Sequence, residues 1–205
     1  MTISQNFLKH QVIFVSLMLI ASLAIADSEL DQREKAAGLV AQDFVKQLGG
    51  HLKNEMKTNG PVKAVKVCKD VAPQIASQLS VENGWKVARV TTKVRNPLMG
   101  MADQWERKAL AEFEAKADKG ESYESMSMTA VVDEDGKFYF RYMKPLVIKP
   151  VCLTCHGGDE QIPATVKNGL EEAYPFDQAK GYKDGELRGA VSIKQPMDIP
   201  LSKKF

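Results

Sequence analysis

Two periodicities divide this chain. From Asp31 to Lys57 apolar side chains return every three or four positions, with Leu39, Phe44, Val45, Leu48 and Leu52 as candidate core contacts, which predicts a long helix. Gly49-Gly50 falls inside it and is expected to weaken or bend it, because glycine disfavours a helix interior. Asn59-Gly60-Pro61 is a break followed by a new helix start, proline being tolerated in a first turn. Val65, Cys68, Ala72, Ile75 and Leu79 then recur at spacings of three and four, one apolar face of a second helix.

Beyond Gly84 the period changes. Trp85 to Arg95 alternates, predicting a strand with Ala88, Val90, Thr92 and Val94 on one face and Arg89, Thr91, Lys93 and Arg95 on the other. Asp103 can cap a helix running through Trp105, Leu110 and Phe113 to about Ala117. Strand formers at Ser125 to Val132 and Lys137 to Tyr142 flank Asp133-Glu134-Asp135-Gly136, a hairpin signal. A short helix from about Pro163 to Ala173 and a strand from Leu187 to Lys194 complete the pattern. The expectation is an α+β fold, with leading helices packed on an antiparallel sheet. No internal repeat or low-complexity linker divides the chain, so residues 27–205 are expected to form one domain.

Ahead of that domain stands an apolar run from Val12 to Ile25, preceded by Lys9 and His10 and followed by Ala24-Ile25-Ala26 and the polar Asp27-Ser28-Glu29. A positive start, an apolar core of about 14 residues and a small-residue exit describe a cleaved signal peptide. The alternative, an uncleaved anchor, needs roughly 20 apolar residues. Cleavage after Ala26 and a periplasmic location are therefore expected, with no stable membrane anchor afterwards. The net charge of the full chain is +2, and Lys9 leaves with the leader. There is no basic block or aromatic-basic interleaving, which argues against nucleic acid as a partner.

The strongest chemical signal is Cys152-Leu153-Thr154-Cys155-His156. Two thiols three positions apart can each add across a vinyl group of haem, and the adjacent histidine can reach the iron, so C-x-x-C-H reads as c-type haem attachment. The expected cofactor is one covalently attached haem c, bound through Cys152 and Cys155, with His156 on the iron. A zinc site would need more ligands than the chain's three cysteines and its histidines at suitable spacing provide. A redox dithiol would open a helix after a strand. Here Lys149-Pro150 precedes the motif and Gly157-Gly158 follows it, which favours an irregular haem-attachment loop.

The second axial position has several candidates: His51, a lysine, Cys68, or a methionine among Met99, Met101, Met126, Met128 and Met143. Cys68 would be an unpaired thiol in an oxidising compartment. On its helix it points inward, either as a small buried hydrophobe or as a thiolate facing the iron. The cations Arg89, Lys93 and Arg95 form either a solvated strand face or a set of charge-assisted partners for haem propionates.

Val65-Lys66-Val67-Cys68-Lys69-Asp70-Val71-Ala72-Pro73 resembles the V-C-x-x-x-A-P segment of a group of exported single-haem c-type proteins, usually catalogued as a domain of unknown function. Arg89 to Pro97 resembles their R-x-x-x-K-x-R-N-P stretch. Trp105-Glu106, Cys152 to Gly157 and Leu187-Arg188-Gly189-Ala190-Val191-Ser192-Ile193 follow in the same order. The resemblance implies a PAS-like sensor fold and a haem ligated by His156 on one side and Cys68 on the other. It also implies a signalling role, in which some relatives stand alone and others are sensory parts of membrane kinases or cyclase-type regulators. This chain ends at Phe205 with no output domain in view, so a stand-alone protein is expected.

The functional expectation is a periplasmic haem protein acting as a redox or gas sensor, with a diatomic gas or a redox partner protein as its counterpart. A soluble electron-transfer cytochrome is the alternative. Enzymatic activity is not expected. A peroxidase would need a distal acid-base residue, and His51, beside Gly49-Gly50, looks like part of a surface bend. No Ser-His-Asp arrangement, phosphate loop or paired-carboxylate motif is visible.

Overall fold

The computed structural model describes residues 4–201, with side chains from Glu29 onward. The expected leader, residues 1–26, lies outside the residues whose side chains are described. Among the described residues no helix is long and apolar enough to cross a membrane.

Helix α1 (Ser4–Thr58) runs through Gly49-Gly50 without a break. Ala36, Ala37, Val40, Ala41 and Phe44 bury its inner face against the sheet, and this packing outweighs a glycine cost of about 1 kcal/mol each. The second expected helix forms in three pieces: α2 (Gly60–Lys66), a wide π-helical turn at Val67–Val71, and α3 (Ala72–Asn83). Gly84, in the left-handed region at φ 71°, ends α3.

Four strands form one antiparallel sheet in the order β1-β4-β3-β2, with β1 (Lys86–Val90), β2 (Met128–Glu134), β3 (Lys137–Val147) and β4 (Leu187–Pro196). The expected hairpin is present, tightened to a two-residue turn. Asp135 and Gly136 both have positive φ, the conformation that matches strand twist, and Asp133 Oδ1 accepts from the Gly136 N–H at 2.8 Å.

The sheet is covered on both faces. Phe44 of α1 and Ile75 and Leu79 of α3 meet Val87, Phe140, Tyr142, Val191 and Ile193 on one side. Helix α5 (Gln104–Ala117) packs Ala109, Leu110 and Phe113 on Val90, Met143 and Ala190 on the other. Asp103 caps α5 as expected, in a reciprocal capping box with Glu106. Glu106 then holds the buried Arg141 at 3.1 Å and accepts from Ser192 at 2.6 Å, which ties α5 to β3 and β4.

Two departures from the sequence pattern shape the site. Strand β1 stops at Val90, not Arg95. The Thr91 N–H donates to Gly100 O at 3.0 Å, the Thr91 hydroxyl donates to Arg188 O at 2.8 Å, and Asn96 caps the short helix α4 (Pro97–Gly100). Arg89, Lys93 and Arg95 therefore do not share a strand face. In the register of β3 and β4, Leu146 faces Gly189 and Val147 faces Leu187, so Arg188 is bulged out of the ladder. Gly189 sits at φ 149°, where an added Cβ would lie far inside van der Waals contact of the Val90 carbonyl oxygen.

Candidate functional site

The C-x-x-C-H motif occupies two successive helical turns, a 3-10 turn at Pro150–Cys152 and a single α turn, α6 (Leu153–His156), instead of an irregular loop. Gly157 closes it, its N–H donating to Leu153 O at 2.8 Å. A Cβ there would sit 2.7 Å from that same carbonyl oxygen, so the exit needs glycine. The segment after α7 (Ala164–Ala173) lies alongside, Gly181 and Tyr182 donating their N–H groups to Gly157 O at 2.8 Å and His156 O at 2.9 Å.

This arrangement fixes the imidazole. His156 Nδ1 is 2.8 Å from Ala179 O. A carbonyl oxygen only accepts, so Nδ1 carries the proton and Nε2 keeps its lone pair free, as a metal-ligating histidine requires. Burial, then the charges of Arg95 and Arg188, hold its pKa well below the usual histidine range, so the ring stays neutral. The ring edge meets Tyr182 in a T-shaped contact at 6.1 Å.

His156 opens onto a cavity of about 730 Å³ that Cys68, Cys152, Cys155, Arg89, Arg95 and Arg188 also line. Phe44, Leu48 and Leu52 of α1, with Leu146 and Ile148, supply apolar wall. Cys68, far away in sequence from Cys152 and Cys155, joins them as a third free thiol around one space. Burial pushes the Cys155 thiol up to about 11 despite the opposing charge of Arg95. Among the described residues no three His, Cys, Asp or Glu side chains gather into a metal cluster. A neutral imidazole with a free nitrogen, two thiols beside it, a third thiol on another wall and cations at the same space make a donor set that suits a covalently held haem.

The expected cations take different positions. Arg89 lines the cavity and donates to Cys68 O at 3.4 Å. Arg95 is enclosed, pairing with Asp177 at 3.1 Å and donating to Cys155 O and Ala179 O. It thereby clamps the motif to the segment that orients His156. Lys93 does not line the cavity; its ammonium donates to Lys180 O at 2.8 Å and lies 4.2 Å above the Tyr182 ring.

Of the other axial candidates, Met126 and Met143 are sealed in the core on the opposite sheet face, and Met128 packs against them. Met101 and His51 are exposed away from the cavity, while Met99 lines it. Arg188 and Asp177 were missed. Arg188 reaches the cavity because the bulge turns it out of the strand, and a glycine inside a strand pattern, Arg188-Gly189, is the signal for such a bulge. Asp177, in a loop, carries no comparable signal.

Residues 16–196 match the family described as Tll0287-like. Among solved structures, the chain is similar to the cyanobacterial heme-protein Tll0287, with a TM-score of 0.60 and 24% sequence identity. That match covers 85% of this chain and 98% of the other. The fold is thus shared with a crystallographically known protein. No curated protein matches the chain.

Proposed function

Since the chain belongs to the Tll0287-like family, we propose that it is an exported, periplasmic protein with one haem c, acting as a redox or gas sensor rather than as an enzyme. The observation that carries the reading is His156. Its proton is held on Nδ1 by Ala179 O, its Nε2 is free, and it sits beside Cys152 and Cys155 on a cavity that Cys68 also lines. Cys152 and Cys155 would form the thioethers, and His156 and Cys68 would hold the iron. The similarity to a cyanobacterial heme-protein supports this reading. A PAS-like sensor architecture is part of the same proposal, supported by the antiparallel sheet, the helices α1 and α3 packed on one face and the cavity beside them.

A bound haem supplies an iron whose ferric state favours a thiolate and whose ferrous state favours neutral ligands and diatomic gases. The protein's contribution is to make one ligand firm and the other releasable. His156 is held by Ala179, by the backbone bonds to Tyr182 and Gly181 and by the Arg95 clamp. Cys68 sits on the π turn, a helix defect often found at functional sites. As the releasable ligand it would make the segment joining α2 to α3 the two-state element a switch needs. Arg89 and Arg188 would receive propionates, whereas Lys93 and Arg95 are engaged with other groups.

Electron transfer alone is the second reading, favoured by one observation: Met99 lines the same cavity. A redox titration separates the two. The sensor reading predicts a strongly negative potential and carbon monoxide binding to the reduced protein. A high potential with a methionine-to-iron charge-transfer band would establish the carrier.

A further inference from the structure

The wide turn at Val67–Val71 has a local cause. The Ala72 N–H donates to Val67 O, five residues back, so the ladder has slipped from α to π spacing. At π spacing the next bond would run from residue 73 to Cys68 O. Residue 73 is proline, which has no N–H, and in a regular helix its ring would collide with the carbonyl of Lys69. The slip accommodates the ring and leaves Cys68 O without a helical donor. Arg89 Nη2 takes that place from β1, at 3.4 Å.

The turn also alters the facing of the helix. Val67 is buried although the α-period places it off the apolar face, and Cys68 is half-buried on the cavity. We propose that Pro73 and Arg89 are positioning residues for Cys68: proline imposes the π turn, and the guanidinium caps the carbonyl it frees, so that the thiol is presented to the cavity. This rests on the reading of Cys68 as an iron ligand and adds to it the device that aims the ligand.

The test is a competition on the ferric holoprotein, in which imidazole displaces the thiolate and its apparent affinity reports how firmly Cys68 is held. Pro73→Ala restores one backbone bond to the α ladder, so imidazole affinity is expected to rise about fivefold, the weight of one net hydrogen bond. Arg89→Met is expected to act in the same direction, with Arg89→Lys restoring much of the native behaviour. In a Cys68→Ala background Pro73→Ala is expected to change nothing, which separates aiming from a general loosening of the cavity. Unchanged affinity in Pro73→Ala, or an equal rise with and without Cys68, overturns the proposal. If Cys68→Ala leaves the ferric spectrum untouched, the ligand reading itself fails. Proline to alanine within a helix favours helix formation, so a folded Pro73→Ala protein is expected.

Discussion

A chain carrying both Cys152→Ala and Cys155→Ala is expected to show no haem on a denaturing gel, while the parent shows a strong haem-dependent peroxidase stain at its own mass. The thioether needs a sulfur, and these two are the thiols placed on successive helical turns beside His156. Either single variant should retain a weakened stain, because one bond still survives denaturation. Cys68 does not compensate, since it lies on a different helical segment and outside the C-x-x-C-H motif. In the folded chain Cys155 is held as a thiol, burial having pushed it up to about 11. A stain of parental intensity in the double variant would show that the motif does not hold the haem.

The second large effect is expected from Gly189→Ala. Residue 189 lies at φ 149°, with the Val90 carbonyl and the Thr91 Cβ directly where a Cβ would project. Relief requires β4 to move away from β1, which would disturb a register of five residue pairs from Lys86↔Lys194 to Val90↔Ala190. The cost is expected to be about 3 kcal/mol or more, a large share of the roughly 5–15 kcal/mol that holds a typical domain together. The same movement would remove the bulge that turns Arg188 to the cavity. Urea denaturation of the purified variant measures this directly, and a midpoint equal to that of the parent would show that the close approach of β1 and β4 is not tight in solution.

The elements read from periodicity are largely those found. The strand from Leu187, the helix capped by Asp103, the hairpin around Asp135-Gly136 and the helix ending at Ala173 all rest on local signals that the tertiary structure reinforces. The misses occur where non-local contacts override local preference. Gly49-Gly50 reads as a bend, yet the burial of Phe44 and its neighbours keeps α1 in one piece. Arg95 continues an alternating pattern, yet the diverted bonds of Thr91 end the strand first and carry Arg95 to Asp177.

The site follows the same division. Cys152, Cys155 and His156 are legible because their chemistry requires adjacency in sequence. Cys68 joins them only through the packing of α2 against α6 and α7, which no spacing rule encodes. Its aim depends on a helix defect whose one visible trace is Pro73. Arg188 shows the same logic in the sheet, where a backbone irregularity marked by one glycine turns a side chain out of register and toward the cavity. Local consistency thus identifies the scaffold, and its breaks mark the groups that face the ligand.

His156 and Cys68 line one cavity, and the proposal is that together they would hold the iron. Electron spin resonance of the ferric holoprotein, recorded for the parent and for Cys68→Ala, tests it most directly. The expected result is a low-spin thiolate signal in the parent that disappears in the variant, with the haem still covalently attached. A variant whose ferric signal is identical to that of the parent would contradict it.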